Sequence, residues 1–291
     1  MILAYGAYAI PGSFPLDEAH EWRRGWVLRV AARNFALMWL LYGGWHWALY
    51  GWGRTGVAAG LSHRVPADKK FNPKDQYADG GTQLRRELLF VHLGFAMSSA
   101  YECVMLHLWA SGRVPMLADF WSRPYWSLFH MFVVAYWRDG HFFFAHRVLH
   151  PWFKNRWWRK RGFDPGQHLY KHVHALHHKS HNPGPFSGLS MHPVEHLLYY
   201  SCTLLCLVFT LHPIHFLYNK FHADFSPAPG HDGYDSAEGG GSYFHYLHHA
   251  HFEVNYGTPM VPFDKLFGTH SDGSEFAKSG AKPGDAKAHA Q

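Results

Sequence analysis

Charge is scarce in this chain of 291 residues: Asp, Glu, Lys and Arg make up 16% of it, against roughly 25% in an ordinary soluble domain. A chain that poor in charge cannot cover a large water-facing surface, and apolar residues at 47% point instead to a bilayer. The mean hydropathy of −0.25 runs the other way, lowered locally by 27 histidines. Cysteine is scarcer still. Cys103, Cys202 and Cys206 all sit in apolar runs, which excludes a disulfide scaffold and reads as buried small hydrophobes. The N-terminus has no basic start, short apolar core and small-residue cleavage site, so no removable signal peptide is expected. No HExxH occurs, which leaves a zinc-dependent membrane hydrolase without its general base. A metal carrier would place ionisable ligands inside its spans, whereas here they fall at the ends. The net charge is only +6, and the Lys/Arg cluster from Lys154 to Arg161 is interleaved with tryptophan. That suits an anionic lipid surface better than a duplex groove, so no nucleic-acid partner is expected.

What the chain has in plenty is histidine, and in pattern. His174-Ala-Leu-His177-His178 recurs as His245-Tyr-Leu-His248-His249, and His146-Arg-Val-Leu-His150 follows directly on an apolar stretch. On a helix, positions i, i+3 and i+4 share a face, so each HxxHH is expected to converge three imidazoles on one point. Neutral imidazole ligates iron, zinc, copper or nickel and leaves the ion's charge uncompensated, which makes an electrophilic centre.

Along the chain, residues 1–33 read as an N-terminal segment, broken by Pro11, Gly12 and Pro15. Asn34–Trp52, Leu88–Ala110 and Tyr125–Trp137 are apolar runs, the first near the roughly 20 residues that cross a hydrocarbon core. The loop of 53–86 carries Arg54, Arg64, Lys69, Lys70, Lys74, Arg85 and Arg86, whereas Ser111–Pro124 has only Arg113 and Arg123. The excess of basic residues orients 53–86 to the cytoplasm, and His146 with it two crossings later. Leu197 to Phe221, broken at His212-Pro213, reads as a membrane hairpin that returns to the same side. Residues 223–243 form a Gly-, Pro- and Asp-rich loop with Gly230-His231-Asp232-Gly233. The tail 271–291 is small, polar and expected to be disordered.

In order, HRxxH, HxxHH followed by Lys-Ser-His-Asn-Pro, His192-Pro-Val-Glu195-His196, the isolated Gly-His-Asp-Gly, and a final HxxHH leading into Asn255-Tyr-Gly and Phe-Gly-Thr269 resemble the fatty acid hydroxylase and sterol desaturase superfamily. The match covers roughly residues 125–270. The resemblance implies an all-α integral membrane protein of about four transmembrane helices (34–145 with the 197–221 hairpin) under a cytosolic histidine-rich cap (146–196 and 222–270), all one domain of 1–270. It implies two irons held by His146, His150, His174, His177, His178, His245, His248 and His249, with His192 and His231 as further ligands. Dioxygen is then the co-substrate, and a membrane lipid is oxidised, sterol-like (C-5 desaturation or C-4 methyl oxidation), with fatty acyl or sphingoid hydroxylation as the alternative. No HPGG stretch marks a fused heme domain, so cytochrome b5 or a similar carrier with its NAD(P)H reductase is the expected electron donor, and the endoplasmic reticulum the expected membrane. Asp139, Glu195, Asp232 and Asn255 are candidates to accept the second N–H of ligating imidazoles.

Overall fold

The computed structural model describes residues 1–51, 70–71, 76–153, 157, 160–234 and 241–279. Arg54, Arg64, Lys69 and Lys74 of the orienting loop, Lys154 with most of the basic segment after it, and the tail beyond residue 279 lie outside the described residues. Among the described residues the chain is helical, with no strand beyond one isolated bridge between Lys70 and Tyr234.

Helix α1 is Ile2–Ala9 and α2 is Arg24–Met38. A π-helical turn, Trp39–Gly43, interrupts the α-helical hydrogen bonding between α2 and α3, Gly44–Tyr50. Helix α4 is Thr82–Ala110 and α5 is Pro124–Val148, the latter opened by proline at its first position, where a missing N–H costs nothing. Shorter pieces follow: α6 Pro165–His172, 3-10 turns His174–Lys179 and Pro185–Leu189, α7 Pro193–Tyr200, a 3-10 stretch Ser201–Leu207, α8 Pro213–Phe225, α9 Pro227–Gly230 and α10 Gly241–His251.

The expectation of about four membrane helices is met in one. Among the described residues only Thr82–Ala110 is both long and apolar enough to cross a bilayer. The reasons are local. The first apolar run is interrupted by a π turn, α5 carries Arg138, Asp139 and several histidines in its second half, and the 197–221 run breaks at His212-Pro213. There the His212 ring accepts from Ile214 N (3.2 Å) to cap α8, leaving pieces of 8, 7 and 13 residues, each too short to span. Helices α4 and α5 nevertheless turn large apolar side chains outward: Leu89 and Val104 on one, Leu128, Phe129, Phe132 and Phe144 on the other.

Inward, α2, α4 and α8 meet around charge. Glu102 on α4 pairs with Arg33 of α2 and, at 3.4 Å, with Lys220 of α8. Lys220 also reaches Asp224 at 2.7 Å, and Asn34 and Ser98 complete the bonding. Lys220, Glu102 and Asp224 are fully buried. Removing one partner of such a set strands a charge in a low dielectric, at a cost of about 3–5 kcal/mol. Lys220→Met should therefore lower the thermal unfolding midpoint sharply, whereas Leu128→Ala on the outward face should leave it almost unchanged. A fluorescence-detected melt of the detergent-solubilised chain compares them.

Toward the other end, Phe95, Tyr42, Phe186, Leu189, Tyr199 and Tyr200 form a core that carries the histidine-bearing segments. The chain runs on into ordered structure past Ser271, contrary to the expected disorder: Ser271 N donates to Asn255 Oδ1 (2.8 Å), and Phe276, in the helical turn Ser274–Ser279, stacks on His251.

Candidate metal centre

Nine of the ten expected ligands lie together, in two groups. His146, His150, His174, His178 and His248 form one; His177, His231, His245 and His249 form the other. Within each, one ring nitrogen per residue lies within 4.8 Å of all the rest. None of the nine is more than 8% exposed.

The division corrects the expectation that each HxxHH serves one point. On α10 successive residues diverge by about 100°, so His248 and His249 straddle His245 and face different centres. The i, i+4 pairs stay together (146/150, 174/178, 245/249), while His177 and His248 cross to the other group. The first motif also lies on a 3-10 turn, His174–Lys179, rather than an α-helix.

The tenth residue, His192, is not brought in. Its ring accepts from Val194 N (3.2 Å) and caps α7, the use a residue directly before proline at a helix start commonly has. His196 packs its ring against Gly94, where a Cβ would come within 2.5 Å of it.

Ring orientation is fixed by hydrogen bonds from Nδ1. His146 donates to Tyr256 O (2.6 Å), His248 to Val254 O (2.7 Å) and His231 to Pro227 O (2.9 Å). A carbonyl only accepts, so Nδ1 carries the proton and Nε2 presents a lone pair. These Nε2 atoms then face other Nε2 atoms: His146 to His174 at 2.9 Å, His248 to His178 at 3.2 Å, His231 to His249 at 3.2 Å and to His177 at 3.4 Å, with His249 to His177 at 3.1 Å. Nitrogens about 2.0–2.1 Å from a shared ion would stand about 3.0–3.4 Å apart at octahedral to tetrahedral angles. The spacing found is that of ligand edges, and lone pairs held so close repel unless a cation lies between them.

Other observations agree with two bound cations. Both nitrogens of His150 and Nε2 of His245 are buried without a hydrogen-bond partner, an arrangement that costs free energy unless something ligates there. Burial also holds the imidazoles neutral, the form that ligates: the pKa of His174 is pushed down to about 3, that of His231 to about 4, and those of His177, His178 and His249 well below the usual value.

Of the four acceptors expected for the second N–H, only Glu195 serves, its Oε1 lying 2.7 Å from His174 Nδ1, with burial pushing its carboxyl pKa well up. Asp139 instead binds Arg138, and Asp232 receives Ser242 and Trp45. Asn255 ties its loop to Phe244 O and Ser271 O. The acceptors that residue types alone did not disclose are main-chain carbonyls. Those of Val254 and Tyr256 are set by the turn after α10, where Phe252 (φ 66°) and Asn255 (φ 53°) take left-handed backbone, and that of Pro227 by the start of α9. Asp264 receives Tyr256 N and Gly257 N, both at 2.8 Å, which aims the Tyr256 carbonyl at His146. Asn-Tyr-Gly and the Asp264–Thr269 stretch thus act on the centre through the backbone.

Close packing supports the first group from outside. A Cβ at Gly166 would come within 2.1 Å of His150 O and 2.3 Å of the Trp152 ring, and backbone cannot give way cheaply. Gly166→Ala should lower stability by about 1–3 kcal/mol and weaken metal retention by the five-histidine group, read as metal content after dialysis against a mild chelator.

A cavity of about 370 Å³ abuts the second group, with His177, His231 and His245 in its wall and Phe142, Met191 and Tyr199 beyond them. The first group does not border it. A separate cavity of about 420 Å³ between Tyr243, Val261 and Lys265 touches none of the nine histidines.

Set against known proteins, the centre falls inside a recognised domain: the fatty acid hydroxylase family model matches residues 131–269. Residues 131–269 thus form a fatty acid hydroxylase domain, and sterol desaturase relatives support the wider superfamily of fatty acid hydroxylases and sterol desaturases. The chain is similar to a Δ7-sterol 5(6)-desaturase of Gibberella zeae, 30% identical over 159 residues that cover 52% of this chain and 38% of that protein. Similarity extends to the Δ7-sterol 5(6)-desaturase of Saccharomyces cerevisiae, 28% over 143 residues (48% and 35%), and to a very-long-chain aldehyde decarbonylase of Oryza sativa, 28% over 168 residues (51% and 56%). The chain thus spans between about a third and somewhat over half the length of these curated relatives. No solved structure matches.

Proposed function

We propose that this chain is a membrane-bound lipid oxidoreductase of the sterol desaturase and hydroxylase type, holding two irons and consuming dioxygen. The observation that carries the reading is the pair of buried all-imidazole groups, with Nε2 atoms at ligand-edge spacing, beside a cavity that reaches one of them. Imidazole sets of this kind suit several first-row metals, but only a one-electron metal activates dioxygen against an unactivated C–H bond, and zinc is not one. Two irons bound there would supply that redox chemistry.

The chain's own residues do the rest. Carbonyls of Tyr256, Val254 and Pro227 hold three rings in one tautomer and one orientation. Glu195 does the same for His174, and stacking of Phe142 on His146 (5.1 Å) and Phe252 on His178 (4.6 Å) keeps those rings from turning. Burial of all nine excludes bulk water from the place where a reactive oxidant would form. The cavity borders the four-histidine group and not the five-histidine one, which supports placing the reacting carbon on that side.

Outward-facing aromatic and aliphatic side chains on α4 and α5, with the apolar length of α4, support seating in a bilayer. We assign it to the endoplasmic reticulum membrane with the histidine cap on the cytosolic side, reduced by cytochrome b5 or a similar carrier and its NAD(P)H reductase. Lipid profiling of a strain lacking the gene, together with oxygen uptake by the purified protein, tests the function. Accumulation of one sterol precursor is expected. Accumulation of an unhydroxylated acyl or sphingoid lipid would move the substrate to that branch, and an unchanged profile without oxygen uptake would reject the reading.

A further inference from the structure

The cavity beside the four-histidine group has a second polar end that metal ligation leaves unused. Arg138 and Asp139 on α5, His222 on α8 and Ser226 just after it share the lining with His177, His231 and His245. Three of these side chains each keep a buried polar atom without a partner inside the protein: Arg138 Nε, His222 Nδ1 and Ser226 Oγ. Arg138 is otherwise fully engaged, Nη1 with Asp139 Oδ1 at 2.9 Å and Nη2 with the Tyr199 hydroxyl at 2.5 Å. The Tyr199 hydroxyl passes its own proton to Ala223 O at 2.7 Å, so it has none to offer a ligand. Unsatisfied polar atoms at such depth are costly, and three at one end of one cavity indicate a ligand group that completes them.

The balance of charge says which group. Asp139 already neutralises Arg138, and among the described residues no other Asp, Glu, Lys or Arg lines the cavity. A carboxylate or phosphate would therefore bring a charge that no cation of the lining is free to meet. A hydroxyl is neutral, accepts from the Arg138 Nε–H, and donates to His222 Nδ1 or Ser226 Oγ. The span between the two ends is also defined. Phe142 neighbours both, with the Arg138 guanidinium 5.1 Å from its ring centre and the His245 ring centre 6.2 Å from it. The guanidinium is thus within about 11 Å of the imidazole, a reach that a molecule of a few fused rings covers.

We infer that Arg138, His222 and Ser226 form a recognition subsite for one neutral hydroxyl of an otherwise apolar substrate, and that this contact positions the substrate against the four-histidine group. The inference rests on the lipid-oxidase reading and adds the residues that select the substrate's polar end. It excludes free fatty acids and other anionic lipids as the favoured occupants.

The test is equilibrium binding to the full chain in lipid nanodiscs, which does not depend on turnover. The probes are radiolabelled cholesterol, its 3-O-methyl ether and palmitate. Wild type should bind cholesterol at least about tenfold more tightly than either of the others, the scale of one buried hydrogen-bond set. Ser226→Ala and His222→Phe, both milder than a change at the buried Arg138, should bring that preference to within about twofold with the bound-metal content unchanged. Binding of palmitate as tight as that of cholesterol, no binding of cholesterol, or a preference that survives both substitutions would overturn the subsite. Oxygen uptake and metal content measured on the same samples separate the outcomes: a failed hydroxyl preference in protein that binds iron and consumes oxygen with some lipid overturns the subsite alone, whereas absence of both rejects the oxidase reading.

Discussion

His177→Ala should reduce product formation to below one-hundredth of wild type while the protein still inserts into membranes at its normal level. Changes to groups that merely orient a ligand cost about 10–100-fold in metal affinity or activity, so loss of a ligand itself should cost at least that. His177 belongs by sequence to the first HxxHH but by position to the four-histidine group, where its Nε2 lies 3.1 Å from that of His249 and 3.4 Å from that of His231. That group has one donor fewer than its neighbour and borders the cavity, so it has the least to spare. The matching change in the five-histidine group, His178→Ala, leaves four donors and should cost less. Product assays on membranes, normalised to immunoblotted protein, compare the two. Equal losses would mean that the groups do not differ in their relation to substrate.

Glu195→Ala should weaken metal binding by about 10–100-fold, the usual scale for loss of a group that orients a ligating imidazole. Its carboxylate is the acceptor nearest His174 Nδ1, and with it gone that nitrogen is buried without a partner, free to take the other tautomer and turn Nε2 away. Glu195→Gln keeps an acceptor oxygen at the same reach and should recover most of the affinity. Competition for iron against a coloured chelator reads both. If Gln is as damaging as Ala, the carboxylate's charge matters more than its geometry.

That nine of the ten expected histidines gather was legible in part because α-helical spacing puts residues four apart on one face, as 245/249 on α10 show. The pairs 146/150 and 174/178 meet too, although His150 lies past the end of α5 and His174–Lys179 is a 3-10 turn. Where His177 and His248 point was not legible, since that depends on how two segments far apart in the chain lie across each other. His192 lies outside both groups, since an imidazole before proline at a helix start has a local use, capping, that looks in sequence the same as a ligand. The carbonyls of Tyr256, Val254 and Pro227 could not be found from residue types at all, since every residue carries one. For Tyr256 and Val254 the only trace was indirect, in the Asn-Tyr-Gly and Asp264 stretches that shape the turn. The helical class was clear from the apolar runs, but their breakage by the π turn and by His212-Pro213 needed coordinates.

The central claim, that two groups of imidazoles each bind one redox ion, is tested most directly by metal analysis of purified full-length protein in parallel with its lipid oxidation. The account predicts two irons per chain, with activity falling in step as a chelator removes them and returning when iron is restored. Protein freed of transition metal that oxidises its lipid at the original rate would contradict it.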